Sequence, residues 1–375
     1  SDIESVYYRY VRNDIPFDER PFLVSPLFTP ADYFDAEVDE WGLFTAALIK
    51  PVDDIEVNLG VRYVNLNQTV YQYQEDSNNP DMTLRRLIQR IPESLEVNDY
   101  YPSLNVKYKY NEENQFDVAV SKTYIIPDLR EFTSGEYFHP YDVATIVGNP
   151  NLKNTDIYSL DLKYSYFISD TENVKFGLFY KILDKPIEDV MLPSSSLPIY
   201  SYDNADKAEL YGVEVDGRKN FDFLGDRYSN YYVSGNFSYT ESDVTLRPEQ
   251  IGTYSTNHRQ LQGLSNIVVN ATLGYDNEDR NIALSYNKMG ERIRKVGLID
   301  AGDAYPDNFE TPPQLLDFVW TEKIKNLDSY GLDELSLKLK VGNLLDEETV
   351  WKQGNNVTQR FKTGQTFGIG ISSKF

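Results

Sequence analysis

Apolar and polar positions alternate with period two through most of the chain, and helical spacing is absent. Tyr158, Leu160, Leu162, Tyr164 and Tyr166 interleave with Ser159, Asp161, Lys163 and Ser165, and Val174, Phe176, Leu178, Tyr180 and Ile182 resume beyond the turn Ser169-Asp170-Thr171-Glu172. Leu104, Val106, Tyr108 and Tyr110, and later Leu335, Leu337, Leu339 and Val341, repeat the rhythm against serine, asparagine and lysine. Each run predicts a strand with one apolar and one polar, often charged, face. Fourteen such segments lie near 1–12, 38–50, 55–73, 97–110, 114–125, 155–168, 173–184, 206–220, 228–242, 264–276, 280–294, 312–326, 332–343 and 366–375. Short links at 51–54, 111–113, 169–172, 221–227, 277–279 and 327–331 alternate with long ones at 13–37, 74–96, 126–154, 185–205, 243–263, 295–311 and 344–365. The pattern predicts an antiparallel up-and-down meander, with tight turns at one end and long loops at the other.

Alternation also suits a soluble β-sandwich, so periodicity leaves the environment open. Long strands, an even count and unequal loops at the two ends are the organisation of outer-membrane barrels. Tyr63, Tyr108, Tyr110, Tyr164, Tyr166, Tyr239, Tyr275 and Tyr286 gather near strand ends, where an interfacial girdle belongs. The last segment, Phe367 to Phe375, is itself a strand closing on an aromatic of the apolar face, an exposed liability in a soluble fold. The expected fold is therefore all-β, a transmembrane antiparallel up-and-down barrel.

Composition narrows the function. The 375 residues carry 36 basic and 59 acidic side chains, a net charge of −23 and no cysteine, which excludes disulfides and zinc ribbons and opposes binding to nucleic acid. No apolar run approaches the roughly 18 residues of a helical span. A mean hydropathy of −0.51 fits a soluble protein, yet it equally fits a barrel, where half of each strand faces a polar lumen and the loops carry acid. No catalytic constellation emerges: His139 and His258 lie on different loops, Ser194-Ser195-Ser196 has no base nearby, and Gly368 and Gly370 precede no helix that would cradle a phosphate. Neither an enzyme nor a cofactor is expected.

Several spaced motifs carry a family resemblance. Tyr101-Pro102-Ser103-Leu104 opens a strand, and Val120-Ser121-Lys122-Thr123 leads to Pro127-Asp128-Leu129-Arg130-Glu131. Gly148-Asn149-Pro150-Asn151-Leu152-Lys153 follows, then Phe179-Tyr180-Lys181 with Ile187-Glu188, and Tyr211-Gly212-Val213-Glu214. Gly263-Leu264-Ser265, Pro312 with Asp317, Gly342-Asn343-Leu344-Leu345-Asp346 and the closing Gly364-Gln365-Thr366 complete the series. In order and spacing the chain resembles the C-terminal part of a TonB-dependent outer-membrane receptor, departing at Ile126, where many relatives carry arginine.

The resemblance implies a 22-stranded barrel of the bacterial outer membrane with a plug inside it. The chain has room for about 14 strands, so residues 1–375 are expected to be the C-terminal part of the barrel, roughly strands nine to twenty-two, without plug or TonB box. The implied function is uptake of a scarce nutrient, such as a ferric siderophore, haem, a cobalamin-like chelate or an oligosaccharide. The implied partners are outer-membrane lipid, the ligand, and the TonB complex acting through the absent plug. A passive 14-stranded diffusion channel and a soluble β-sandwich binding module are the rival readings.

The long loops, expected outside the cell, hold the binding-type chemistry. Tyr137, Phe138, His139 and Tyr141 form one group, Tyr254, His258 and Arg259 a second, and Tyr305 and Phe309 a third beside Asp300, Asp303 and Asp307. Aromatic rings with a few polar groups suit sugars or flat chelates. The aspartates have oxygens that calcium accepts, but such runs are more often solvated, so no metal site is expected. The polar rows Asp161/Lys163, Lys338/Lys340 and Glu214/Asp216/Arg218 are expected to line the lumen.

Overall fold

A computed structural model of the chain describes residues 34–75, 87–89, 92–140, 142–195, 197–300, 302–327 and 332–374. Thirteen long strands follow one another: β1 (Phe34–Val52), β2 (Ile55–Glu75), β3 (Glu93–Lys109), β4 (Asn114–Ile125), β5 (Thr155–Phe167), β6 (Asn173–Asp184) and β7 (Lys207–Asn220). They continue as β8 (Tyr231–Thr245), β9 (Ile267–Asp276), β10 (Arg280–Met289), β11 (Leu315–Leu327), β12 (Leu332–Gly342) and β13 (Thr366–Lys374). Each pairs antiparallel with its sequence neighbours, giving one sheet in the order β1 to β13, and a short strand at Leu87–Gln89 pairs with the end of β2. The outer edges of β1 and β13 have no partner among the described residues, so the sheet does not close on itself there. Of the fourteen predicted strands, the segment 1–12 lies outside the described residues, as does most of the expected link 327–331.

Local chemistry sets the tight end. In the β3–β4 turn Asn111 Oδ1 accepts from the backbone N–H of Glu113 (3.0 Å) and Asn114 (2.7 Å), and in the β9–β10 turn Asn277 Oδ1 accepts from Asp279 (3.0 Å) and Arg280 (2.7 Å). Asparagine side chains thus stand in for a backbone turn and reverse the chain within a few residues. The β5–β6 turn is held by the Glu172 carboxylate, which accepts from Lys219 Nζ (2.7 Å) and the Asn220 N–H (2.8 Å) of the next hairpin.

Register carries the apolar positions into continuous rows. Ala47, Leu59, Leu104, Val120, Leu160, Tyr180 and Tyr211 stand side by side across seven strands. These residues and their neighbours on that face, Leu162, Leu178 and Phe176 among them, are exposed, and no second sheet covers them among the described residues. An apolar band of this extent is incompatible with a monomer in water and matched by a bilayer. Aromatic residues bound it on both sides: Tyr108, Phe116 and Tyr164 meet ring to ring at the tight-turn end, and Trp41, Tyr63 and Tyr100 at the other. Tyr100 and Tyr108, like Tyr231 and Tyr239, are eight residues apart. That is about 26 Å of strand and about 20 Å along the normal at a typical barrel tilt, close to the apolar height of such barrels. The opposite face is polar, with Ser103, Ser121, Ser159 and Lys181 in one row and Asn236, Asn270 and Asn287 in another. Asp161, Lys163, Glu214, Asp216, Arg218, Lys338 and Lys340 share this face, as expected from the sequence, and Gly368 and Gly370 lie beside the two lysines.

Leu162→Arg, at the centre of the apolar band, is expected to cost about 2–4 kcal/mol of folding stability in phospholipid vesicles. Asp161→Arg, on the polar face, is expected to change it by less than about 1 kcal/mol. Denaturant titration of both variants checks this, and equal losses would count against a lipid-facing band.

The structure departs from the sequence reading in the long links, which are not irregular. Ile187–Leu192, Ile199–Asn204, Ala144–Val147 and Glu136–His139 form one four-stranded sheet; Arg292–Lys295, Asn308–Thr311, Thr349–Gln353 and Asn356–Phe361 form another. The predicted strand 280–294 is two elements: β10 stops at Met289, and after Gly290 the chain turns into the second loop sheet. Strand propensity continues through both, and only the partner changes.

A structured loop face at the open end of the sheet

The segment after β4 does not leave the barrel wall but folds back over its polar face. Asp128 caps a single helical turn, Leu129–Phe132, accepting from the Arg130 N–H (2.9 Å), while Glu131 reaches back to the Asp128 N–H (2.9 Å). This capping box satisfies the donors at the start of the turn. Phe132, 1% exposed, packs with Val70 of β2, Leu95 of β3 and Leu152. Gln68 and Gln72 of β2 donate to the Pro127 carbonyl (3.2 Å) and to Thr133 Oγ1 (3.1 Å), and Ser134 donates to Gln72.

Gly148 crosses this turn so closely that a Cβ would lie 1.9 Å from the Thr133 carbonyl oxygen and 2.5 Å from that of Arg130. Asn149 then donates to the Glu131 carbonyl (2.6 Å) through its backbone and to that of Tyr202 (2.9 Å) through its side chain. Asn204 receives the Lys153 N–H (2.8 Å) and donates to the carbonyls of Lys153 (3.0 Å) and Lys185 (2.8 Å). Two of the motifs singled out in the sequence, 127–131 and 148–153, are therefore halves of one latch that ties two loops to the inner wall.

Beyond the latch, Val190, Ala205, Val244, Leu246, Tyr254, Ile293 and Val296 close an apolar core between the loops and the upper ends of β7 and β8. Inside it Arg259 and Glu188 form an ion pair at 2.6 Å, each side chain 2% exposed. Burial pushes the Glu188 carboxyl above its ordinary value, against the pull of the guanidinium. Nearby, Asp203 collects Arg247 (2.6 Å), Gln250 (2.7 Å) and the Tyr254 hydroxyl (2.9 Å). Burial, and then the Asp203 charge, raises that phenol well above its usual range. Arg294 joins the two loop sheets, bonded to Asp142 at 2.5 Å and stacked 3.5 Å from the ring centre of Trp351.

The nine residues singled out from sequence divide by this packing. Tyr254 and Arg259 are buried and bonded as above, and Phe309 packs against the same core. Tyr137 stacks beneath Arg130, 5.3 Å from its ring centre, with its hydroxyl 3.5 Å from that of Tyr202. His139 lies 3.1 Å from Asp142, which Arg294 also holds. Phe138 (56% exposed), Tyr305 (46%) and His258, whose side chain is 85% exposed, stand at the surface. Tyr141 lies outside the described residues. Asp300 and Asp303 pair across a hairpin, whereas Asp307 turns inward to accept from Ser255 (2.9 Å), Thr256 (3.1 Å) and the Gly297 N–H (2.8 Å). The three aspartates are thus not brought together, and no group of three or more histidines and carboxylates able to hold a metal occurs among the described residues.

The sequence reading missed Asp142, Asp203, Arg247, Arg294 and Trp351, which join loops far apart in the chain. No local pattern marks such partners.

No curated protein matches the chain. Among solved structures it is similar to the ferric-catecholate import receptor Fiu from E. coli K12 (13% identity, TM-score 0.61), covering 90% of this chain and 44% of that one. It is also similar to the copper transporter OprC (12%, 0.62, covering 91% and 49%) and to the ferric yersiniabactin uptake receptor FyuA from Yersinia pestis (14%, 0.58, covering 90% and 46%). The chain thus spans about half the length of these structures. The family model described as TonB dependent receptor-like, beta-barrel, matches residues 2–344. With an exposed apolar band, a polar inner face and long loops gathered at one end, the chain belongs to the TonB-dependent receptor β-barrel family of the bacterial outer membrane.

Proposed function

We propose that the intact protein takes up a scarce nutrient across the outer membrane with energy from the TonB complex. In this reading residues 1–375 supply the C-terminal part of the barrel and no plug. The family is one of transport receptors rather than enzymes. The observation that carries the reading is the inward latch, which fixes an ordered loop assembly over a polar wall in the place where a receptor needs a rigid mouth.

The ligand class favoured is a ferric or similar metal chelate. Its support is the chemistry of the loop face, where exposed Phe138 and Tyr305 offer flat apolar contact and Arg130 stands exposed on the Tyr137 ring. Three structural neighbours are described as carriers of ferric catecholate, copper and ferric yersiniabactin, which agrees with this choice. Tyr254, Arg259 and Phe309 are assigned to holding the loops, and Phe138, His258 and Tyr305 to the ligand face.

A strain lacking the gene for this protein is expected to lose growth on at least one ferric chelate supplied as sole iron source. The same loss is expected when the gene is intact and TonB is removed. Uptake that persists without TonB would instead identify a passive channel, and growth defects confined to oligosaccharides would move the ligand to the glycan class.

A further inference from the structure

The apolar face of the wall holds a concavity with a charged lip. It lies at the tight-turn end of β8, β9 and β10, has a volume of about 310 Å³, and is lined by Tyr231, Leu273, Tyr275, Arg280, Ile282 and Leu284. Register puts these residues on the side of the apolar band: Tyr231 stands opposite Tyr275, Tyr275 opposite Ile282, and Leu273 opposite Leu284. β7 and β11 flank the three strands. The concavity is therefore complete within the wall, away from the open edges of the sheet and on the other side from the lumen.

Its two ends differ in chemistry. At the turn end the Tyr231 and Tyr275 rings meet edge to face, their centres 4.8 Å apart. Leu273, Ile282 and Leu284 form the apolar part. Beyond them Gly217, Gly235 and Ala271 stand side by side across β7, β8 and β9, a row that projects nothing longer than a methyl group. From Arg280 to Tyr286, which stands opposite Ala271, is about 20 Å of strand. A low apolar path thus leads from the aromatic girdle into the band.

The lip is an ion pair. Arg280 on β10 donates to Glu322 on β11 through Nε (2.6 Å) and Nη2 (2.8 Å), and Trp320 Nε1 donates to the same carboxylate (3.1 Å). The arginine side chain is 47% exposed, and its Nη1 takes no part in the bonds to Glu322. The double bond fixes both charges in place beside the tyrosines, at the depth where interfacial aromatics meet lipid headgroups. An exposed pair adds little to stability, so its position at the mouth of an apolar path suits recognition better than folding. The adjoining turn sets Glu278 and Asp279 against Lys325. That excess of acid opposes a headgroup with negative charge alone, whereas a phosphate with an ammonium finds a partner for each charge.

We propose that this concavity retains one phospholipid of the periplasmic leaflet, selected for a headgroup that carries a phosphate and a primary ammonium. Arg280 receives the phosphate, the Glu322 carboxylate receives the ammonium, and an acyl chain lies along Leu273, Leu284 and Ala271. This lipid is a bound component of the wall, unlike the lipid that exchanges freely over the rest of the band. The assignment rests on the lipid-facing side of the wall and is independent of the uptake reading.

Native mass spectrometry of the intact protein, extracted from its membrane and washed in detergent, tests the site. One retained phosphatidylethanolamine per protein is expected, preferred at least tenfold over phosphatidylglycerol when the two are offered in equal amounts. Arg280→Gln is expected to lower retention at least tenfold. Leu273→Trp, which fills the path and leaves both charges in place, is expected to do the same in a protein whose fold is intact by circular dichroism. Glu322→Gln is expected to keep phospholipid but lose the preference between headgroups. Lys50→Gln, which breaks an exposed ion pair with Glu56 (3.1 Å) at another tight turn, is expected to retain lipid as the parent does. A parent without retained lipid, a graded series of lipid counts that marks annular lipid only, or a parent that prefers phosphatidylglycerol would overturn the proposal. So would unchanged retention in Arg280→Gln and Leu273→Trp.

Discussion

Arg259→Leu is expected to destabilise the loop assembly by about 3–5 kcal/mol, because it strands the Glu188 carboxylate in a site from which water is excluded. Glu188 is 2% exposed, and one of its oxygens has no partner even with the arginine present. Its carboxyl already sits above the ordinary range through burial, so removing the guanidinium leaves protonation as the remaining relief. Glu188→Leu strands Arg259 in the same way. The double variant Glu188→Leu/Arg259→Leu is expected to recover most of the loss, since two apolar side chains fit the surroundings of Val190, Val244 and Tyr254 without desolvating a charge. Hydrogen exchange of the amides at 187–192 and 244–261 reads the local stability of each variant. Additive losses in the double variant would show that the pair contributes through packing rather than through charge.

The second large effect is expected at Gly148. A valine there drives its Cβ into three carbonyl oxygens of the 130–133 turn, all backbone atoms with no rotamer to yield. Steric conflict with backbone falls in the class of substitutions that cost about 4 kcal/mol or more. The expected outcome is release of the latch: Phe132 and Leu152 leave the pocket formed by Val70 and Leu95, and the 127–153 segment opens. Trypsin then cleaves after Arg130 at least tenfold faster than in the parent, while the strands of the wall keep their exchange protection. Asn151→Ser, on the exposed side of the same motif, is expected to leave cleavage unchanged. Equal trypsin sensitivity in Gly148→Val and the parent would contradict the tight crossing.

The two variants separate two jobs of the loops. The Glu188–Arg259 pair holds the loops to one another, whereas the latch holds them to the wall through Gln68, Gln72 and Phe132. A receptor mouth needs both, because a loop face that is ordered but detached has no fixed relation to the lumen beneath it.

Much of this architecture is legible in the order of the residues. Period-two alternation gives thirteen described strands at their expected places, and Asn111 and Asn277 mark tight turns by their own side-chain chemistry. Rows such as Leu104, Val120 and Leu160 follow directly, because in a meander with short turns each strand's register is set by the one before it. The candidate site is less legible. An exposed Phe138 and a buried Tyr254 look alike as aromatic residues in acidic loops, and only the second meets Asp203, about fifty positions away in sequence. The long links read as loops because their strands are four to six residues long, and some, such as Ala144–Val147 with Ile199–Asn204, pair with a partner from another link that no neighbouring segment advertises.

Sequence alone determined the places of the thirteen described wall strands, the direction of the meander and the two faces of the wall, since these are written in local spacing that the backbone geometry of a strand converts to position, while the family was read from the resemblance of its spaced motifs. Tertiary structure decided what the loops do. It showed that the 127–131 and 148–153 motifs are halves of one inward latch, that Arg259 holds Glu188 rather than facing solvent, and that Arg218, one charge among many in a polar row, lies against the Tyr232 ring at the lower wall. The physical reason is range. Alternation acts between adjacent residues, whereas burial, ion pairing and steric exclusion act between groups brought together only when the whole sheet has formed.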